Sequence, residues 1–184
     1  MISVSRQLFS FPRSLNEKAA RVVAGVVAVT ALVALLTGAR WLLLPLAYGF
    51  WARTLTGPRL SPLALFATRV AAPRLGAPKE VPGPPKRFAQ AIGAAITTTG
   101  TVAFALGSPA VADVTLVLLA VAATLESVLA LCLGCKIFEL LMRAGLIPEE
   151  TCAACADIWS RDGARARTAL AERPRRKSLE TATD

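Results

Sequence analysis

The sequence predicts an all-α integral membrane protein, a bundle of four transmembrane helices with a cytoplasmic helical hairpin after the fourth. Hydrophobic residues make up 54% of the 184 residues, slightly more than is usual for a soluble domain. They are collected in long runs, and the charged residues fall almost entirely between these runs. The net charge is +9 without histidine, and lysine and arginine are typical of the cytoplasmic loops of membrane proteins.

The first apolar run covers residues 20–38 and carries no charge beyond Arg21. At about 1.5 Å per residue it extends over roughly 27 Å, close to the ~30 Å thickness of the hydrocarbon core. We interpret it as a retained helix rather than a signal peptide, because it has no A-x-A cleavage site and is followed by further apolar sequence. Residues 1–19 are then a cytoplasmic N-terminal segment.

The second run, residues 41–55, is short for a membrane span and contains Pro45. Its tryptophan and tyrosine residues suit the membrane interface. The loop that follows, residues 56–87, is basic and rich in proline. Within it, Ser61 as N-cap and Pro62 at the first helical position predict a short helix, which we expect to lie along the membrane surface.

The third and fourth runs cover residues 88–107 and 113–135, and the fourth is interrupted only by Glu126. The turn between them contains no basic residue, whereas nine lysines or arginines follow from Lys136 onward. We take residues 20–160 as one membrane domain. Residues 161–184 form a basic tail whose polar composition is typical of partly disordered segments.

The distribution of positive charge predicts the topology. The N-terminal segment, the central loop and the tail are all basic, and they lie on one side only if residues 41–55 also cross. We therefore expect four spans in the plasma (inner) membrane, with both termini cytoplasmic. The lipid bilayer is then the main partner. No nucleic acid is expected, because no basic patch is interleaved with aromatic residues.

Four cysteines form two C-x-x-C pairs, and they are the main functional signal. Helix four is expected to continue to about residue 144, and a new helix to open at residue 148. A hairpin over residues 132–160 would then bring the two pairs together. The cysteines are Cys132, Cys135, Cys152 and Cys155.

Three chemistries fit these cysteines, and the sequence leaves them open. The first is thiol redox or sulfur transfer without a cofactor, with Cys152 attacking, Cys155 resolving, and Cys132 with Cys135 as the exchanging pair. The second is a four-cysteine site for zinc or an iron–sulfur cluster, in an accessory subunit of a larger membrane complex. The third is packing of small buried side chains. A permanent disulfide does not suit the reducing cytoplasm.

Glu126 is the other candidate, because a carboxylate within a membrane helix is costly and marks a functional position. It could relay protons to the thiols or pair with a basic group, or it could bond to the threonines at positions 97–99. The motifs of nucleotide-binding enzymes and serine hydrolases are absent from the sequence. Whether the protein is an enzyme is left open by these observations.

Three stretches resemble the DUF4395 family of bacterial integral membrane proteins, whose function is unassigned. They are "GPRLSPLALFATRVAAPRLG" from residue 57, "VPGPPKRFAQAIG" from residue 81 and "CLGCKIFELLMRAGLIPEETC" from residue 132. The resemblance extends over residues 14–160 and implies a bacterial source of actinobacterial type. It also implies neighbouring genes for thioredoxin-like proteins and sulfurtransferases, and hence a partner of one of these kinds.

Overall fold

The computed structural model describes residues 14–77 and 79–147, and these are mostly helical. Three helices are long and apolar enough to cross a membrane: α1 (Glu17–Thr37), α5 (Gly83–Ala105) and α6 (Pro109–Leu129). The predicted helical architecture, with three helices of membrane-spanning length and composition, is thereby confirmed, whereas the fourth span stays a prediction. The other elements are β1 (Ser14–Asn16), a 3₁₀ turn (Arg40–Leu42), α2 (Leu43–Thr56), α3 (Pro62–Phe66), a π-helical turn (Ala67–Ala71), α4 (Ala72–Arg74), β2 (Glu80–Pro82) and α7 (Leu133–Arg143).

The long helices pack through small residues and expose large ones. α1 lies against α6, and α2 against α5. The buried face of α1 is built of alanine and valine, whereas Val29 and Leu36 of the same helix point outward. On α6, Val117 and Val128 are likewise exposed. This arrangement is typical of membrane helices, in which small residues let the backbones approach and large apolar residues face lipid.

The bundle has two chemically different ends. β1 and β2 pair in antiparallel fashion, with Leu15 opposite Val81, so α1 and α5 begin at the same end. α6 finishes there, where Arg21 donates hydrogen bonds to the Ser127 carbonyl (3.0 Å) and to the next carbonyl. We name this the cysteine end, because it contains Cys132. The opposite end is the Arg40 end.

α2 returns the chain from the Arg40 end toward the cysteine end. Trp51 Nε1 donates to Thr98 Oγ1 at 3.0 Å, and Arg53 Nε donates to Gln90 Oε1 at 2.8 Å. The partner positions on α5 decrease as those on α2 increase, so the two helices are antiparallel. A 3₁₀ turn precedes α2 and extends it toward the Arg40 end.

The segment from α3 to α4 packs against α1, and its expected position along the membrane surface stays a prediction. Ser61 caps it as predicted, accepting a hydrogen bond from the Ala64 amide. Its buried alanines, Ala67 and Ala72 among them, are part of the core cluster with α1. The Lys18 ammonium at the start of α1 donates to the Leu75 carbonyl at 2.7 Å, which fixes the end of the segment at the cysteine end.

The prediction of an uninterrupted fourth helix to residue 144 is wrong. α6 ends at Leu129, because Ala130 adopts a left-handed conformation with φ of 56°. Cys132 is extended and precedes a separate helix, α7. This break turns α7 onto α5, where the Phe138 and Phe88 rings pack with centroids 5.5 Å apart. The chain therefore buries Phe138 against α5 instead of continuing α6 as one helix.

A second correction concerns the boundary of the central loop. α5 begins at Gly83 with Pro84 and Pro85 in its first turn. Proline is tolerated there because the first amides of a helix have no hydrogen-bond partner within it. Lys86 therefore belongs to a helix and not to the loop. The second cysteine pair, the predicted hairpin beyond residue 147 and the tail lie outside the described residues, as do residues 1–13.

Candidate functional site

The first cysteine pair forms a dithiol at the N-terminus of α7. Cys132 is the N-cap residue and Cys135 lies in the first turn, where the expected continuous helix would have placed both within a helix. The Cys135 thiol donates a hydrogen bond to Cys132 Sγ at 2.6 Å. A disulfide has a sulfur–sulfur bond of about 2.05 Å, so the two residues can be joined with little movement.

Gly134, between the two cysteines, lets this turn sit directly on α5. A Cβ atom at this position would lie 2.5 Å from Ala89 Cβ and 2.6 Å from Ala89 Cα. Real Cβ atoms do not approach backbone so closely, and the neighbour cannot rotate away. Packing therefore requires glycine at this position of the C-L-G-C motif, because only a residue without a Cβ atom lets the Cys132 region dock against the bundle.

We expect Gly134→Ala to destabilise the protein by about 1–3 kcal/mol, since overpacking against backbone forces α7 away from α5. Thermal unfolding in detergent measures the loss, and alkylation of Cys132 should become faster as the turn opens. The control is Gly25→Ala, because a Cβ there would be 3.8 Å from Ser127 Cβ, an ordinary contact. An unchanged melting temperature for Gly134→Ala would contradict the docking argument.

Lys86 and Glu126 form an ion pair beside the dithiol. The Lys86 side chain is 9% exposed and the Glu126 side chain 17%. Of the options for Glu126, the structure therefore shows pairing with a base. Thr97 and its two neighbours instead donate to carbonyls of their own helix. The role of Glu126 as a proton relay stays a prediction.

The surroundings shift the pKa values of the two thiols in opposite directions. The hydrogen bond from Cys135 lowers the pKa of Cys132, and the positive charge of Lys86 adds to this against the effects of burial and Glu126. The same hydrogen bond, together with burial, raises the pKa of Cys135 far above its usual value. Since the thiolate is the nucleophile, this geometry favours Cys132 as the attacking sulfur.

Arg53 is a functional candidate that the sequence reasoning missed. It is only 6% exposed, its guanidinium lies 4.6 Å from the Phe50 ring centroid, and its Nε bonds to Gln90. Among the residues that the structure describes, its Nη2 has no hydrogen-bond partner. The rule that singled out Glu126, an ionisable residue within an apolar run, also applies to Arg53.

Two cavities meet at Cys132. The inner cavity, of about 250 Å³, has walls from α1, α2, α5, α6 and α7. Its polar lining residues are Arg53, Gln90, Glu126 and Cys132, and the remaining lining is apolar. The outer groove, of about 440 Å³, is lined by both cysteines of the pair and by Lys86. Cys132 therefore borders both the inner cavity and the outer groove.

The charged lining of the outer groove is mostly basic. Besides Lys86 it includes Lys79 and Lys136, with Glu17 and Glu139 as the acidic members. Within residues 14–77 and 79–147, no group of three or more histidine, cysteine or acidic side chains could hold a metal ion. The predicted four-cysteine site depends on residues beyond this part of the chain, so the zinc and iron–sulfur alternatives stay predictions.

Comparison with known proteins places these residues in a family. A family described as a domain of unknown function, DUF4395, matches residues 15–143. The match includes the Cys132–Cys135 pair, whereas Cys152 and Cys155 lie beyond it. The curated proteins and the solved structures contain no significant match. Because the family match covers well over half of the chain, the protein belongs to the DUF4395 family.

Proposed function

We propose that this protein is a membrane thiol oxidoreductase whose exchanging pair is Cys132 with Cys135. The observation that carries the proposal is the close approach of the two sulfur atoms, 2.6 Å between Cys132 Sγ and Cys135 Sγ, at the N-terminus of α7. A helix N-terminus, a nearby cation and a thiol donor all favour a thiolate. We assign Cys132 as nucleophile and Cys135 as the resolving thiol, the roles that the sequence predicts for Cys152 and Cys155, which lie outside the described residues.

The exchange follows from this assignment. The Cys132 thiolate attacks one sulfur of a partner's disulfide, and the partner's other sulfur leaves as a thiolate. Cys135 loses its proton and attacks Cys132 Sγ in this mixed disulfide. The partner sulfur that Cys132 had attacked leaves as a second thiolate, and a Cys132–Cys135 disulfide remains. The partner is thereby reduced and the membrane protein oxidised. A thioredoxin-like protein fits the partner's role. In this scheme Cys152 and Cys155 are a second, relaying pair.

We further propose four crossings, with the cysteine end on the cytoplasmic side of the plasma membrane. α2 and its 3₁₀ turn together extend over roughly 27 Å, and their antiparallel packing on α5 supports a crossing. Positive charge concentrates at the cysteine end. At the other end Arg40 is neutralised by Asp113, with an Nη2 to Oδ2 distance of 2.7 Å. This asymmetry follows the positive-inside rule.

Glutathione disulfide tests the exchange chemistry in a Cys152→Ser/Cys155→Ser background. The reduced protein is expected to form the Cys132–Cys135 disulfide and release two glutathione molecules. Cys135→Ser should stop at a single glutathione on Cys132, whereas Cys132→Ser should react far more slowly. Mass spectrometry distinguishes these products.

Two results would overturn the proposal. One is the absence of any Cys132–Cys135 disulfide after such treatment. The other is stoichiometric zinc or iron in the purified full-length protein that disappears in Cys132→Ser, which would establish the metal-binding alternative. Metal analysis and thiol counting on the same sample decide between them.

A further inference from the structure

A buried arginine, Arg53, forms part of the wall of the inner cavity, whose lining is mostly apolar. Arg53 is buried, it lines this cavity, and its Nη2 has no partner among the described residues. Leaving a charged donor unpaired away from water is costly, and it marks a functional position in a membrane protein. A ligand in the cavity that offers an acceptor oxygen to the Arg53 guanidinium and an apolar body to the rest of the lining would compensate this buried charge.

The buried charges favour an oxygen that becomes more negative. Lys86 and Glu126 compensate each other, so Arg53 is the cation that remains to act on a ligand beside Cys132. Gly93 leaves room for the Phe50 ring on which the Arg53 guanidinium stacks, since a Cβ at position 93 would lie 2.3 Å from that ring. A fixed cation in a dry site stabilises negative charge that develops during a reaction.

Cys132 lies in the wall of the same cavity. A dithiol that closes to a disulfide gives up two electrons and two protons. The class of molecule that dissolves in a bilayer, offers carbonyl oxygens and takes up two electrons with two protons is the quinones. We propose that the inner cavity binds a quinone ring, which exchanges electrons with the Cys132–Cys135 pair. This inference rests on the redox function proposed above.

The reaction balances without a further reactant. One proton comes from the ionisation of Cys132 and the other from the S–H bond of Cys135; the Cys132–Cys135 bond forms, and the quinone becomes a hydroquinone by gaining two electrons and two protons. Arg53 donates to a quinone oxygen and stabilises its growing negative charge. The Lys86–Glu126 pair connects the two compartments, because Lys86 lines the outer groove with Cys135 and Glu126 lines the inner cavity. It provides a path for the Cys135 proton.

A carboxylate, such as a fatty acid, would also satisfy Arg53. It would leave the cysteine in the cavity wall without a role, and for this reason we favour the quinone. The two ligands are separated by the stoichiometry of the reaction, since only the quinone removes thiols.

Decylubiquinone tests the proposal, because its fully substituted ring suppresses direct addition of thiols. The reduced Cys152→Ser/Cys155→Ser protein in detergent is expected to form one hydroquinone for each pair of thiols lost. Arg53→Gln should raise the decylubiquinone concentration that gives half the maximal rate of thiol loss at least tenfold, and Arg53→Lys, which keeps the charge, should raise it less. The matched control is Arg59→Gln, which removes an exposed arginine of the neighbouring loop.

Diamide, a water-soluble thiol oxidant, separates the two proposals. Disulfide formation with diamide in every arginine variant shows that the pair is intact, and thermal unfolding in detergent shows that the variants are folded. If diamide oxidises the wild-type pair and decylubiquinone does not, the quinone proposal is overturned and the redox proposal stands. If neither oxidant forms the disulfide, both are overturned. An equal half-saturating concentration of decylubiquinone in Arg53→Gln and Arg59→Gln would remove Arg53 from the site.

Discussion

Replacing Glu126 by leucine is expected to destabilise the bundle by about 3–5 kcal/mol, because it leaves a buried cation without its partner. Lys86 loses its ion pair, and Arg53 loses the acidic group whose charge acts on it. Lys86→Met should cost less, since Glu126 still interacts with Arg53. The double variant Lys86→Met/Glu126→Leu should recover much of the loss. Unfolding in mixed detergent measures the free energy of each variant.

The exposed pair on α7 provides the control. Lys136 and Glu139 are separated by one helical turn, and the Lys136 side chain is 69% exposed. Because such pairs contribute little in water, Lys136→Met should change the free energy of unfolding by less than about 1 kcal/mol. A double variant as unstable as the sum of the two single ones would show that the buried pair is not a coupled unit.

Cys135→Ala is expected to move the alkylation of Cys132 to higher pH. The hydrogen bond from Cys135 is the largest cause of the lowered pKa of Cys132, and the substitution removes it. A thiol reacts as its thiolate, so a lower pKa extends reactivity to lower pH and a higher pKa withdraws it. In the variant the rate at neutral pH should fall about tenfold for each unit by which the pKa rises.

Iodoacetamide alkylation followed over pH, in the Cys152→Ser/Cys155→Ser background, measures this shift. Lys86→Met should move the curve in the same direction, because the positive charge of Lys86 also lowers the pKa of Cys132. Lys136→Met should leave the curve in place. A curve that Cys135→Ala leaves unchanged would mean that the two thiols do not interact in solution.

The difference between the predicted and the observed helix at the cysteines has a local cause. The apolar run continues through residue 133, and periodicity alone gives no reason for the helix to stop at Leu129. The helix stops because Ala130 takes a positive φ, which is uncommon for a residue with a Cβ atom. Tertiary packing compensates for this conformation, since Phe138 and Gly134 then pack against α5.

The sequence alone determined the membrane class, the family resemblance, the long helices and the two cysteine pairs. These depend on composition, run length and spacing, which are properties of neighbouring residues. The tertiary structure decided which groups meet. It pairs Lys86 with Glu126 over 40 positions, buries Arg53 beside Gln90, and places Cys132 at a helix start. Such contacts depend on which helix faces another, and hydrophobic periodicity contains no information about that choice.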